Sequence, residues 1–177
     1  VGHEHEWGGG RFALTETPQR VLVVGGGPAG LEAARVAAER GHDVILAEAA
    51  PHLGGAFRLA GLQPRRAQIL DLIDWYERQL RQLGVDIRLN CYLEAEEIAA
   101  MDVAHVVLAT GTQPDATGFQ KALPHVAQLP GAERSNVATV EDVMSRAIRP
   151  GGNVVLLDEG GHWRGIGTAW QLAAAGH

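Results

Sequence analysis

The sequence contains one cysteine, Cys91. That excludes an internal disulfide framework, and it excludes a four-thiolate metal or cluster site built from this chain alone. Cys91 closes a strand-like run and reads as a small buried hydrophobe rather than a nucleophile. A lone cysteine points to a reducing compartment, so the expected location is cytoplasmic. Basic residues are outnumbered, with 15 Lys and Arg against 21 Asp and Glu and a net charge of −6. No nucleic-acid footprint is expected from that balance. No apolar run approaches the length of a membrane span, so no membrane partner is expected. The first residues show no basic segment followed by an apolar stretch, and nothing reads as a signal peptide. What is present is ordinary for a globular chain: 177 residues, 46% hydrophobic and 20% charged. This length suits one domain, or two small or incomplete ones.

The chain is organised around Val21-Leu-Val-Val-Gly25-Gly-Gly27-Pro28-Ala29-Gly30-Leu31. An apolar strand ends in a glycine-rich turn and a helix follows at once. Gly25, Gly27 and Gly30 form G-x-G-x-x-G. The first permits the tight turn, the second lets backbone approach a pyrophosphate, and the third lets helix pack on strand. The N-terminus of the helix predicted over 28–40 offers free N–H groups to phosphate, and Gly41 ends that helix. A second strand, Asp43–Glu48, places a carboxylate at its end, about twenty residues beyond the glycines, where it can bind a ribose hydroxyl. The alternative is a strand–turn–helix junction without a ligand. The candidate binding residues here are Gly25, Gly26, Gly27, Pro28, Ala29, Gly30, Glu48 and Ala49. Gly54 and Gly55, just behind the second strand, allow close backbone approach to the same ligand.

Residues 1–19 read as a linker arm. His3, Glu4, His5 and Glu6 fit no standard zinc spacing, and no metal site is assigned. Trp7 in this arm is expected to pack on something. Residues 66–83 form an amphipathic helix with Ile69, Leu72, Ile73, Tyr76, Leu80 and Leu83 on one stripe and Trp75 at its rim. Val85–Asn90 alternates as a third strand. Residues 91–103 read as a short hairpin crossing. His105–Ala109 is a buried strand ending in Thr110-Gly111. Short apolar strands between helices predict a parallel sheet with helices on both faces, an α/β Rossmann-like fold. Ligands bind such sheets at the carboxyl ends of the strands, so Ala109, Thr110 and Gly111 join the candidate site. This unit spans 20–112, and connecting loops occupy 113–138.

Residues 139–177 repeat the plan as the start of a second dinucleotide-binding-type unit. A helix over 139–148 is capped by Thr139, with Asp142 three positions on. Asn153–Asp158 reads as a buried strand, a glycine-rich turn follows, and a helix over 166–175 ends at Gly176-His177. In the first unit Gly41-His42 leads directly into a strand, so a strand is expected after His177 as well. The chain therefore reads as a fragment of a longer protein. No residue stands out as a catalytic acid or base.

Taken together, Val21–Gly30, Glu48, Gly54-Gly55 and Ala109-Thr110-Gly111 resemble the two-dinucleotide-binding-domain flavoproteins. A narrower resemblance is to the C-terminal part of the old-yellow-enzyme-like iron–sulfur flavoproteins. These include 2,4-dienoyl-CoA reductase, trimethylamine, dimethylamine and histamine dehydrogenases, and N-demethylases. It is carried by Gly2-His-Glu-His-Glu-Trp7-Gly8, by Leu53–Ala60 with Trp75 and Leu83–Asn90, and by Val154–His177. The resemblance implies FAD or ADP on the first glycine turn. It also implies a preceding (β/α)8 barrel of the same polypeptide with FMN and a 4Fe–4S cluster, and a homo-oligomeric parent. Asp158 stands where the second unit should have its first glycine, and Gly161, Gly165 and Gly167 are widely spaced. That departure favours the dehydrogenase or demethylase branch and weighs against NAD(P)H binding. The readings left open are an NAD(P)H-dependent enoate reductase, a structural ADP-binding module, and an electron-transfer flavoprotein of the glutamate-synthase small-subunit type.

Overall fold

The computed structural model describes residues 12–177, which fall into two compact units. One holds residues 12–58 and 70–111, the other 59–69 and 112–177. The expectations for His3, Glu4, His5, Glu6 and Trp7 lie outside the described residues.

In the first unit the strands are β1 (Arg20–Val24), β2 (Asp43–Ala47), β3 (Asp86–Arg88) and β4 (His105–Leu108). They form a parallel sheet in the order β3-β2-β1-β4. Val21 is in register with Val44 on one side and His105 on the other. Parallel neighbours require crossovers, and helices supply them. α1 (Pro28–Glu39) joins β1 to β2, α3 (Gln68–Gln82) precedes β3, and α4 (Ala95–Ala100) precedes β4.

Side chains alternate along each strand, so the sheet has two packed faces. Val21, Val23, Val44 and Leu46 pack with Leu31 and Ala34 of α1 and Ile73 and Leu80 of α3. Leu22, Val24, Ile45 and Ala47 fill the other face with Cys91, Leu93, Ile98, Met101 and Val103. Leu22, Leu46 and Leu80 are wholly buried, and each contributes about 1.5–3 kcal/mol relative to an exposed side chain. Cys91 is a partly buried free thiol packed on this second face, in keeping with its reading as a small hydrophobe.

Four details depart from expectation. The expected hairpin over 91–103 is instead the helix α4, whose Glu94 and Glu97 form a reciprocal capping box on a run of good helix formers. The third strand is shorter than Val85–Asn90, because Asn90 turns the chain at φ 52°. β4 is not buried: it is the sheet edge, and Val106, Val107 and Leu108 are exposed. The α3 stripe is narrower than expected, with Leu72 exposed and Leu70 packed on the core in its place.

α2 (Gly55–Gly61) starts in the first unit and ends in the second. The second unit holds α5 (Val140–Met144) and α6 (Trp163–Ala175). The Thr139 cap forms as expected, its hydroxyl accepting from the Asp142 N–H. The helix stops early, at Arg146 with φ 63°. α6 begins at Trp163 rather than 166. The expected buried strand over 153–158 does not form: the segment has no ladder partner among the described residues. Its alternate side chains still face opposite ways: Val155 is 97% exposed, whereas Val154 and Leu156 line a groove with Leu172 of α6. Its sequence is strand-forming, but a strand also needs a neighbouring backbone. Among the described residues, no helix is long and apolar enough to cross a membrane.

Candidate nucleotide-binding site

The site is assembled where β1 hands over to α1. Gly25 has φ 107° and its N–H donates to the Ala47 carbonyl at 2.8 Å, which pins the turn to the end of β2. A side chain here would run into the backbone of Ala109, with the carbonyl carbon 2.7 Å from the Cβ position. Gly30 lies one helical turn on, and a Cβ there would overlap the Gly25 carbonyl. These two glycines are therefore packing requirements. Gly27 is different. It caps α1 with extended backbone, no side chain closes the helix N-terminus, and the space beyond its Cα is open to 4 Å. Open space at a free helix N-terminus, with Pro28 as the first helical residue, has the geometry and polarity that would suit an anion. Pro28 and Ala29 are exposed on its rim.

Glu48 stands at the C-terminal end of β2. Its own N–H donates to the Arg88 carbonyl and its carbonyl accepts from Cys91, so its backbone position is fixed. The carboxylate accepts from the Gly26 N–H at 2.6 Å through Oε2 and from the Ala50 N–H at 2.7 Å through Oε1. Each carboxylate oxygen carries a second lone pair, so the group can hold the turn and still accept from two hydroxyls. Ala49 beside it is exposed.

Gly54 and Gly55 complete the cradle. The Gly54 N–H donates to the Gly26 carbonyl at 2.8 Å, and its φ of 111° and contact with Ile73 leave no place for a side chain. A Cβ on Gly55 would stand 3.3 Å from the Gly27 Cα. Thr110 flanks Gly25, its Cα 3.1 Å from the Cβ position. Gly111 is exposed with φ 76° and open space around it. The structure thus brings Gly25, Gly26, Gly27, Gly30, Glu48, Gly54, Gly55, Ala109 and Thr110 together, with Gly111 next in the chain. Three supporting groups were not legible beforehand. Leu53 packs on Gly26, the Ala50 N–H shares the Glu48 carboxylate, and Arg58 Nε donates to the Leu53 carbonyl at 2.9 Å. Arg58 lies in the Leu53–Ala60 stretch that carries the resemblance, but nothing in that stretch shows that its side chain braces the Leu53 carbonyl.

The cradle has a free N-terminus, an open glycine and an adjacent carboxylate, so the residues present fit a nucleotide diphosphate and its ribose. Among the described residues no cluster of three or more His, Cys, Asp or Glu could hold a metal.

The profile of the pyridine nucleotide-disulphide oxidoreductase family matches residues 8–122. The chain belongs to that family. An N,N-dimethylglycine/sarcosine dehydrogenase of Chromohalobacter salexigens is 44% identical over 99% of the chain, which covers 24% of that protein. A probable N-methylproline demethylase of Rhizobium meliloti is 42% identical over 93% of the chain, which covers 23% of it. The solved structure of 6-hydroxypseudooxynicotine amine oxidase from Pseudomonas geniculata N1 superposes with a TM-score of 0.88 at 32% identity, covering 99% of this chain and 26% of that one. The chain spans about a quarter of the length of the relatives it matches. It is a nucleotide-binding module of the kind found in larger flavin oxidoreductases, as the resemblance implied.

Proposed function

We propose that the glycine turn holds the ADP portion of FAD, or ADP itself, within a larger oxidoreductase that oxidises N-methylated amines. The observation that carries this reading is the open cradle at Gly27 beside the Glu48 carboxylate. Gly27, Ala29 and Gly30 present helix N-terminal N–H groups to the diphosphate, Glu48 takes the ribose hydroxyls, and Gly55, Thr110 and Gly111 let the ligand lie close to backbone. Pro28 removes one N–H and sets the helix direction, and Ala49 leaves the ribose side uncovered. Bound FAD would supply two-electron redox chemistry, while this chain binds, orients and shields the nucleotide.

The amine reading is supported by the dehydrogenase and demethylase among its relatives. With it come, as parts of the same proposal, a preceding (β/α)8 barrel with FMN and a 4Fe–4S cluster, a homo-oligomeric parent, and a cytoplasmic location that rests on the free thiol of Cys91.

The test is ligand extraction from the full-length protein. Denaturation should release one adenine nucleotide per chain, FAD or ADP by mass, in addition to FMN. Release of no adenine nucleotide would overturn the site assignment. Sarcosine or dimethylglycine should bleach the flavin under anaerobic conditions with formation of formaldehyde. Bleaching by NADH alone would move the protein to the reductase reading.

A further inference from the structure

The C-terminal end of α6 borders a groove that shares no residue with the turn at Gly25–Gly30. Its volume is about 650 Å³, within the range of small-molecule sites, roughly 300–1,000 Å³. All of its lining belongs to the second unit. Leu62, Val143 and the buried Leu172 supply apolar walls. The polar groups are Arg146, Arg149, Gln171 and His177. The end of α6 is tied in place beside them. His177 Nδ1 donates to the Gly151 carbonyl at 2.6 Å, and the Gly176 and His177 N–H groups close the helix on Ala173 and Leu172.

The charge around the groove is one-sided. No Asp or Glu lines it. The two carboxylates of α5 are committed elsewhere: Glu141 pairs with Arg164 at 3.2 Å, and Asp142 accepts from the Thr139 hydroxyl and N–H. Among the described residues neither Arg146 nor Arg149 is paired with a carboxylate. Two guanidinium groups at one groove without a counter-ion repel each other, and a bound anion would reverse that. Arg146 is also held at φ 63°, backbone that a glycine would adopt without strain. An arginine kept at such a position points to a use for its side chain. Gln171 adds a second demand. Its Oε1 is buried and has no hydrogen-bond partner among the described residues. A buried acceptor left without a donor is costly, and a ligand O–H or N–H would satisfy it.

We infer that this groove binds a small organic acid, a carboxylate with an apolar body and a hydrogen-bond donor. Arg146 and Arg149 take the carboxylate, Leu62, Val143 and Leu172 cover the apolar body, and Gln171 Oε1 accepts from the donor. The site does not depend on the reading of the first turn as the nucleotide site.

The experiment uses the full-length protein with three probes: 2-hydroxyoctanoate, octanoate, which lacks the donor, and octanol, which lacks the charge. Calorimetry should find octanoate about threefold weaker than 2-hydroxyoctanoate, and octanol about tenfold weaker or more. Hydrogen–deuterium exchange places the binding. 2-Hydroxyoctanoate should slow exchange about fivefold in peptides covering 143–150 and 171–177 and leave 21–31 unchanged. Arg149→Gln should remove that protection. Arg146→Gly should remove it as well while unfolding at the native temperature or above, because glycine relieves the backbone strain. Ala174→Phe, which fills the groove from α6, should abolish it. Equal binding of the three probes would overturn the inference. So would native-like protection in Arg149→Gln and Arg146→Gly, or a probe that leaves 143–150 and 171–177 unchanged. Full protection of both peptides before any probe is added would show that another segment of the polypeptide fills the groove, and would overturn it too.

Discussion

Glu48 Oε2 lies 2.6 Å from the Gly26 nitrogen and accepts its N–H, so a carboxylate from the end of β2 holds the glycine turn at the end of β1. The second oxygen accepts from the Ala50 N–H. On the proposed site, the residue that would meet a ribose is also a clasp on the backbone that would meet the phosphates, and substitution there should affect two properties. In Glu48→Gln one carboxylate oxygen becomes an NH2 group that faces a backbone donor. We expect nucleotide affinity to fall by about 1–3 kcal/mol, the cost of a lost charge-assisted hydrogen bond, measured by calorimetry with ADP. We also expect the ligand-free protein to lose about 1–2 kcal/mol of stability from the orphaned amide. Unchanged affinity would mean that no hydroxyl of the ligand reaches Glu48.

The glycines of the turn should separate cleanly into binding and packing roles. Gly27→Ala places a methyl group in open space at a backbone conformation any residue adopts. It should cost under about 1 kcal/mol of stability yet lower ADP affinity at least tenfold. Gly30→Ala drives a methyl group into the Gly25 carbonyl. It should cost about 1–3 kcal/mol of stability, the range for overpacking in a rigid site. Denaturant melts and calorimetry on both variants check the ordering. Equal stability losses would remove the distinction.

What was legible in the sequence was the part governed by local rules. Gly25, Gly41 and the Thr139 cap are set by backbone geometry within a few residues, and each is where spacing placed it. β1, β2 and α1 follow from uninterrupted periodicity. What could not be read depended on neighbours. Val106, Val107 and Leu108 have the composition of a buried strand, but only sheet order shows that β4 is an edge. Asn153–Asp158 has strand composition and no ladder partner among the described residues. α4 was missed because its capping pair, Glu94 and Glu97, lies in a run with no strong periodicity. At the site, the glycines and Glu48 are readable as a motif, whereas the clasp from Glu48 to Gly26 depends on how β1 and β2 pair in the fold.

Gln63 illustrates a residue with no sequence signal and a structural role. It is 3% exposed, and its Nε2 donates weakly to Thr168 Oγ1 at 3.4 Å and to the Arg164 carbonyl at 3.5 Å. Gly167 lies directly against the amide, and a Cβ there would overlap it. Gly167→Ala should therefore expel Gln63 and destabilise the second unit by about 1–3 kcal/mol. Gln63→Ala in the same background should recover part of that loss, since the added methyl then has room. A double-mutant cycle in urea checks this. Additive losses would show that Gly167 and Gln63 do not constrain each other.

Acid should release the 112–138 segment from the second glycine turn. Glu159 accepts from the Lys121 and Ala122 N–H groups. Those two backbone bonds, the Ala122 one first, hold its carboxyl below the ordinary value of 4.5. The direction fixes the sign. A depressed folded-state pKa means the tether is fully present above the unfolded value and is lost as pH falls through the folded one. Between pH 7 and pH 5 exchange of the Lys121 and Ala122 amides, corrected for intrinsic rate, should be constant. Protection should fall progressively once pH drops below 4.5. Glu159→Gln should remove most of that protection at pH 7 and flatten the acid response. The group is exposed, so global stability should change little and the readout is local. A native-like acid response in Glu159→Gln would assign the transition to another carboxylate, with Asp115, lowered by its Thr117 hydrogen bonds, the next to test.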